Sequence, residues 1–264
     1  MSLALIVGRG NLPAAVVAAL DVRPLVCVLN GFDPNGLQPD LHFRLEHLGS
    51  LIADLQARGV SQVCFCGAIE RPPVDPAAID AATLPLVPLI MKAMASGDDA
   101  ALRAVVHVFE QSGFAIRAAH DLAPALLAPE GTLSTRAVTD AMRADMARAD
   151  AVLAALAPLD VGQGCVVGKG LVWGIETTGG TDHMLATLPD TVGAADALLV
   201  KEPKAGQELR VDMPAIGPQT IDALVAAGLA GVVIRAGSTL VLDRAETLRR
   251  ADEAGLVIFA RAPA

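Results

Sequence analysis

Residues 3–20 read LALIVGRGNLPAAVVAAL, and this stretch decides the fold of the first half of the chain. An apolar run, Leu3–Val7, is followed by a glycine turn and by a helix pattern from Pro13 to Leu20. Short apolar strands that alternate with helices of about ten residues are typical of parallel sheets with right-handed crossovers. A Rossmann-like parallel sheet is therefore predicted. The same alternation continues with a strand, a helix and a strand at Leu25–Leu29, Leu48–Arg58 and Gln62–Gly67.

The first turn departs from the dinucleotide-binding fingerprint. It reads GRGNLP from Gly8, so Pro13 stands where the pattern G-x-G-x-x-G has its third glycine. A nicotinamide-dependent oxidoreductase is therefore disfavoured. The turn still opens a helix whose N–H groups can hold a phosphate or a sugar hydroxyl. Gly10, Asn11 and Leu12 are accordingly candidate substrate-binding residues.

The second half also alternates strands and helices, and it includes a two-residue hairpin turn at Lys169-Gly170. These patterns predict a second α/β domain. We place the two domains at residues 1–132 and 133–264 and expect a ligand cleft between them. The predicted strands of this half are Cys165–Val167, Leu171–Glu176, Ala197–Lys201, Gly231–Ile234, Thr239–Leu242 and Leu256–Ala260, and its longer helices are Arg136–Leu156, Pro218–Ala227 and Arg244–Ala254.

Composition narrows the possible functions. The formal net charge is −9 and aromatic residues make up 3% of the chain, which gives no basic, aromatic face for nucleic acid. The longest run without a charged residue is Ala223–Ile234, too short to span a bilayer. With no signal-peptide pattern at the start, we expect a cytoplasmic protein. The cysteines show no metal-binding or redox spacing and are predicted to be buried and reduced: Cys27, Cys64, Cys66 and Cys165.

A cationic loop near the end of the chain is the strongest candidate for an anion site. Residues 201–218 read KEPKAGQELRVDMPAIGP, with Lys201, Lys204 and Arg210 within ten positions. If Leu209–Met213 is extended, Arg210 and Asp212 lie on the same face. A guanidinium that grips a phosphate would then stand beside a carboxylate that holds a metal or a water. A solvated ion pair on an ordinary loop is the alternative.

Carboxylates at the ends of predicted strands and helices suggest a magnesium site. Glu176, Asp182 and Asp212 occupy such positions, where ligand sites in α/β folds collect. Mg²⁺ commonly takes one or two carboxylates together with water and substrate phosphate oxygens. We therefore predict that Mg²⁺ binds these carboxylates, and that Lys201, Lys204 and Arg210 cover charge on the phosphoryl oxygens.

Several blocks of sequence, in order along almost the whole chain, resemble the UDP-2,3-diacylglucosamine pyrophosphatase family of the LpxI type. The long block at 201–218 is the most specific of them. The others are Gly97-Asp98-Asp99, His120-Asp121-Leu122, Asp160-Val161-Gly162-Gln163, Thr181-Asp182-His183-Met184-Leu185 and Ala227-Gly228-Leu229-Ala230-Gly231.

The resemblance implies a two-domain, magnesium-dependent cytoplasmic enzyme of lipid A synthesis. Such an enzyme cleaves UDP-2,3-diacylglucosamine to UMP and 2,3-diacylglucosamine 1-phosphate (lipid X). The family's catalytic aspartate maps to Asp212, with Arg210 and Lys201 as further catalytic candidates. The nature of the substrate implies peripheral contact with the inner membrane, and a homodimer is expected. Candidate substrate-binding residues in or near the matching blocks are Asp98, Asp99, Thr178, Thr181, Asp182, Lys204 and Gln207.

Two positions depart from the family's pattern. Gly179 replaces an acidic residue before Gly-Thr-Asp, which removes one candidate metal ligand, and Ala205 replaces a proline. The alternative from another class is a non-catalytic protein that binds a nucleotide sugar or a lipid. In that protein the cationic loop would hold a phosphate and Asp212 would only fix Arg210.

Overall fold

A computed structural model of the chain describes residues 2–69, 74–94, 98–159, 161–204 and 206–263. The chain folds into two compact units. The first comprises the residues up to Pro124 together with Glu208–Asp212, and the second comprises Ala125–Gln207 and the residues from Met213 onward. The predicted domains, 1–132 and 133–264, were continuous, whereas the first unit takes five residues from late in the chain.

The first unit is built on a parallel sheet in the order β3-β2-β1-β4-β5, the order of a Rossmann-like fold. This confirms the predicted parallel sheet. Ala4 and Ile6 pack in one apolar core, while Leu5 and Val7 are also fully buried, so both faces of β1 are covered. The strands are β1 Ser2–Val7, β2 Leu25–Leu29, β3 Leu41–Phe43, β4 Val60–Cys66 and β5 Ala115–Ile116. The helices are α1 Leu12–Ala18, α2 Leu48–Ala57, α3 Val87–Met94, α4 Asp98–Gln111 and α5 Ala119–Leu122.

The second unit has a mixed sheet in the order β6-β13-β11-β9-β7-β8. Strands β9, β11 and β13 are parallel, and β6, β7 and β8 each run antiparallel to a neighbour. A short parallel pair, β10 with β12, lies apart. The strands are β6 Gly131–Thr132, β7 Gly164–Gly168, β8 Leu171–Ile175, β9 Leu198–Lys201, β10 Ala215–Ile216, β11 Gly231–Arg235, β12 Leu240–Val241 and β13 Val257–Arg261. The helices are α6 Asp140–Leu156, α7 Gly180–Ala186, α8 Pro218–Ala226 and α9 Arg244–Glu253.

Helices cover both faces of this second sheet. Along β9, Leu199 belongs to a core that contains Ile221 and Leu224 of α8. Its neighbour Leu198 belongs to a core with Met142 and Met146 of α6. This alternation follows from the two-residue period of a strand, and it confirms a two-domain α/β protein.

The predicted hairpin and buried cysteines are both present. Lys169 and Gly170 connect β7 to β8 with φ angles of 50° and 74°, as a two-residue type I′ turn requires. The four cysteines are buried free thiols, and burial raises the pKa of Cys27 and of Cys165 to about 12. Within the described residues, no helix combines the length and the apolar composition needed to cross a bilayer.

Candidate active site

The β1–α1 turn of the first unit is held by the loop that follows β2. Gly10 adopts a φ of 97°, which favours glycine, and its carbonyl accepts a hydrogen bond from the Asn35 N–H at 3.1 Å. The Asn35 side chain donates to Asn11 Oδ1 at 2.8 Å. Asn11 therefore makes no side-chain cap on α1. Three of the predicted substrate-binding residues, Gly10, Asn11 and Leu12, lie together at the carboxyl end of β1.

Main-chain hydrogen bonds tie the loops after β1 and β4 together. The Arg9 N–H donates to the Ala68 carbonyl at 2.9 Å, and the Ala68 N–H donates back at 3.0 Å. A Cβ added at Gly8 would lie 2.3 Å from the Ala68 carbonyl oxygen, so only glycine allows this approach. Rossmann proteins bind dinucleotides in the crevice between these two strands, where the strand order reverses. The Arg9–Ala68 bridge therefore joins the two loops at the place where such a crevice would open.

The segment Glu208–Asp212 is a turn, so the prediction of an extended Leu209–Met213 is wrong. The N–H groups of Val211 and Asp212 both donate to the Glu208 carbonyl, at 3.1 and 3.0 Å. Because of these short-range hydrogen bonds, the segment does not follow the two-residue period of a strand. That period was the reason to expect Arg210 and Asp212 on the same face.

Arg210 instead binds two carboxylates. Its Nε and Nη2 donate to Glu208 at 2.9 and 2.7 Å, and its Nη1 donates to Glu110 on α4 at 2.8 Å. Hydrogen bonding to Glu208 raises the pKa of Arg210, and the same bonds lower the pKa of Glu208. Sequence reasoning missed both carboxylates. Asp98 and Asp99 begin the same helix, but their side chains lie outside the described part of the structure.

In the second unit, Glu176, Thr181 and Lys201 form a chain of hydrogen bonds. Lys201 Nζ donates to Thr181 Oγ1 at 2.6 Å, and Thr181 Oγ1 donates to Glu176 Oε1 at 3.1 Å. Lys201 ends β9, and Glu176 follows β8. The strand register brings both strand ends to the same edge of the sheet, next to Gly164 at the start of β7. Three predicted site residues are therefore brought together.

The buried carboxylate of Glu176 is only partly satisfied. Glu176 is 7% exposed, and its Oε2 has no hydrogen-bond partner within the described part of the chain. A Cβ at Gly164 would lie 2.7 Å from Oε2, so the absence of a side chain there makes room for the carboxylate. An unpaired buried carboxylate oxygen is costly, and a hard cation could satisfy it.

The donor set for a metal is small. Among the described residues, no three His, Cys, Asp or Glu side chains gather in a group that could hold a metal ion. Asp182, the neighbour of Thr181, is exposed on α7, as is Thr178 ahead of that helix. A partly satisfied Glu176 fits the mode in which Mg²⁺ takes one or two carboxylates and completes its shell with water and phosphate oxygens.

The loop after β9 is fastened to the loop before β7. Gln207 Oε1 accepts from the Lys204 N–H at 2.8 Å, and Gln207 Nε2 donates to Gln163 Oε1 at 3.1 Å. The Glu202 N–H donates to the Gln163 carbonyl at 3.0 Å. Two predicted substrate-binding residues, Lys204 and Gln207, are thus held by hydrogen bonds in the part of the chain that follows Lys201.

Glu202 anchors the start of this loop, and sequence reasoning missed its role. It is 9% exposed and accepts hydrogen bonds from Arg235 Nη2 and from Arg261 Nε, the latter at 2.7 Å. Arg235 and Arg261 are register partners at the carboxyl ends of β11 and β13. Arg261 also binds Asp150 through two hydrogen bonds of 2.8 and 2.7 Å. The sequence alone does not reveal this role of Glu202, because only the strand register shows that Arg235 and Arg261 lie side by side.

The fold and the site define a class of protein. The chain is a two-domain α/β protein in which charged side chains collect at the carboxyl ends of the parallel strands β9, β11 and β13, the usual place for ligand sites in such folds. These residues are Lys201, Glu202, Arg235 and Arg261.

Comparisons with known proteins identify the family. Models of the LpxI N-terminal domain and the LpxI C-terminal domain match residues 2–126 and 129–259. A relative from Caulobacter vibrioides, named UDP-2,3-diacylglucosamine pyrophosphatase LpxI, is 37% identical over an alignment that covers 97% of this chain and 96% of the relative. The chain belongs to the LpxI family, which confirms the resemblance found in its sequence blocks.

Proposed function

We propose that this protein hydrolyses the diphosphate bond of UDP-2,3-diacylglucosamine and so acts in lipid A biosynthesis. The observation that carries the proposal is the 37% identity to a relative with that pyrophosphatase name over nearly the full length of both chains. A water oxygen bonds to one phosphorus while the bridging P–O bond breaks. The products are UMP and 2,3-diacylglucosamine 1-phosphate.

Two residues have the leading chemical roles in this proposal. Asp212 receives the proton from the attacking water or orients that water. Lys201 stabilises charge on the phosphoryl oxygens, and its ammonium group is already directed by the Thr181 hydroxyl. The β1–α1 turn at Gly10, Asn11 and Leu12 offers polar groups for the nucleotide or the sugar.

Magnesium is part of the proposal. Of the three predicted ligands, Glu176, Asp182 and Asp212, we propose Glu176 as the protein ligand, because its buried carboxylate is only partly satisfied and no group of three such side chains forms among the described residues. Bound magnesium would neutralise the diphosphate and lower the pKa of a bound water. Lys201 and the loop that follows it would still bind and orient the phosphates.

Removal of divalent metal should abolish turnover. We expect that EDTA stops UMP release and that added Mg²⁺ restores it, because an uncompensated diphosphate repels the attacking nucleophile. The measurement is UMP production after gel filtration in EDTA, with and without Mg²⁺. Full activity in excess EDTA would remove magnesium from the proposal.

Product analysis tests the reaction itself. Purified protein, UDP-2,3-diacylglucosamine and Mg²⁺ in ¹⁸O-water should yield UMP and lipid X in equal amounts, with ¹⁸O in one of the two products. Mass spectrometry of both products reads out the bond that is broken. Binding of the substrate without any turnover would instead favour the non-catalytic nucleotide-sugar or lipid-binding protein.

The substrate's acyl chains suggest where the protein works. Each buried CH₂ contributes about 0.8 kcal/mol, so two acyl chains bind well to an apolar wall. We propose peripheral contact with the cytoplasmic face of the inner membrane and a homodimeric state. Flotation with lipid vesicles and sedimentation equilibrium test these two points. A protein that stays at the bottom of the gradient, or that sediments as a monomer, would contradict them.

A further inference from the structure

Helix α4 carries a carboxylate to which neither the proposed reaction nor the sequence blocks assign a role. Glu110, near the carboxyl end of α4, accepts a hydrogen bond from Arg210 at 2.8 Å across 100 positions of sequence. Both residues belong to the first unit. The contact therefore ties a segment from late in the chain to a helix of the Rossmann-like unit.

The guanidinium of Arg210 is held on two edges. Glu208 binds Nε and Nη2 in a fork, and Glu110 binds Nη1. Such bidentate pairing fixes the plane of the guanidinium as well as its distance. Protein carboxylates thus occupy both edges of the guanidinium, which fits a structural clamp. Arg103 is a further cation whose charge helps to lower the pKa of Glu208.

The backbone of the segment is fixed by the same residues. The Glu208 carbonyl accepts from the N–H groups of both Val211 and Asp212. The Val211 side chain packs against the apolar core of the first unit. The turn is thus attached by Val211 on the apolar side and by Arg210 on the polar side. Asp212 is the last residue before the chain returns to the second unit at Met213.

We propose that Glu110 is a positioning residue for the reaction: with Glu208 it clamps Arg210 and so fixes where Asp212 presents its carboxylate. The inference rests on the proposed function, in which Asp212 is the catalytic carboxylate. A displacement of about 1 Å in a reacting group can cost on the order of a hundredfold in rate. Arg210 and Glu110 are each about two-fifths exposed, so water can replace part of the clamp and a smaller effect is expected.

A double-mutant cycle tests the clamp. Glu110→Ala and Arg210→Ala should each lower kcat by about five- to tenfold with KM unchanged, and the double variant should be no worse than Arg210→Ala alone. Glu253→Ala is the matched control, because Glu253 is an exposed carboxylate paired with Arg249 on α9. If Arg210 contacts the substrate instead, Arg210→Ala should raise KM and Glu110→Ala should leave kcat intact. That result would overturn the proposal.

Hydrogen exchange supplies a readout that does not require turnover. In Glu110→Ala, the peptide that contains residues 208–212 should exchange faster than in the wild type, while peptides from β1 and β4 keep their protection. Unchanged exchange in that peptide would overturn the clamp even if activity fell. If the wild-type protein released no UMP, the proposed function would fail, and exchange would still decide whether Glu110 holds the segment.

Discussion

The hydroxyl group of Thr181 forms hydrogen bonds with two neighbouring side chains at once. It accepts from Lys201 and donates to the buried Glu176, so the carboxylate sets the direction in which the hydroxyl faces the ammonium group. Sequence reasoning placed all three residues in the site but as separate ligands of substrate or metal. Their mutual hydrogen bonds depend on the register of β7, β8 and β9, which no local pattern encodes.

Replacing the Thr181 hydroxyl should reduce catalytic efficiency. Thr181→Val keeps the shape of the side chain but removes both hydrogen bonds, and we expect kcat/KM to fall about tenfold, or about 1.4 kcal/mol. Thr181→Ser keeps the hydroxyl and should stay within about twofold of the wild type. Steady-state kinetics of the three proteins measure this. Equal activity of the Val and Ser variants would contradict a role for the hydroxyl.

Glu202 is the other residue whose environment is unusual. It is buried between Arg235 and Arg261, and its removal leaves two guanidinium groups without their shared partner. We expect Glu202→Gln to lower the free energy of unfolding by about 3 kcal/mol. Asp54→Asn, in an exposed pair with Arg58, should cost less than about 1 kcal/mol. Urea unfolding of both variants gives the comparison, and equal losses would rule out a special role for Glu202.

At the scale of elements, the β7–β8 hairpin shows what local sequence can predict. The Lys169-Gly170 pair fixes the turn type through its backbone preferences alone. The structure adds the buried Asp145 on α6, whose carboxylate accepts from the N–H groups of Lys169 and Gly170 at 3.1 and 2.7 Å. The helix thus caps the turn, and the pattern of the turn itself could not reveal this contact.

The turn at Glu208–Asp212 shows where local sequence misleads. The order Leu209-Arg210-Val211-Asp212-Met213 alternates apolar and polar residues as a strand does. The bonds to the Glu208 carbonyl and the distant Glu110 override that pattern. A contact with a residue 100 positions away in the sequence cannot be predicted from the pattern of five consecutive residues.

The connection that leads from β3 into α2 should lose stability at acidic pH. Glu46 is 3% exposed and accepts from Arg44 at 2.8 Å and from the Asp75 N–H at 2.8 Å. The hydrogen bond from Arg44 is the largest cause that lowers the pKa of Glu46, from an ordinary 4.5 to about 2. The stabilisation is therefore complete above pH 4.5 and is lost as the pH falls toward 2.

Glu46→Gln tests this pH dependence. At pH 7 the variant should be about 1–3 kcal/mol less stable than the wild type, because the charged acceptor is gone. The difference should shrink steadily between about pH 5 and pH 3. Chemical unfolding at several pH values measures it, and a difference that stayed constant down to pH 3 would exclude the ionised carboxylate as its cause.

At the scale of the whole molecule, the sequence predicted the architecture better than the chain path. Repeated strand and helix patterns, beginning at Leu3–Val7, were enough to predict a parallel first sheet and a second α/β unit. The inclusion of Glu208–Asp212 in the first unit was not predictable. That step depends on Val211 finding an apolar core built from residues far earlier in the chain.

Catalysis in the proposed reaction depends most on Asp212. The decisive measurement compares UMP release and substrate binding for the wild type, for Asp212→Asn and for Asp21→Asn, an exposed control. We expect Asp212→Asn to lower kcat by about 10²–10³-fold or more, with substrate binding retained, and Asp21→Asn to match the wild type. Near-normal UMP release by Asp212→Asn would contradict the assignment of the catalytic carboxylate.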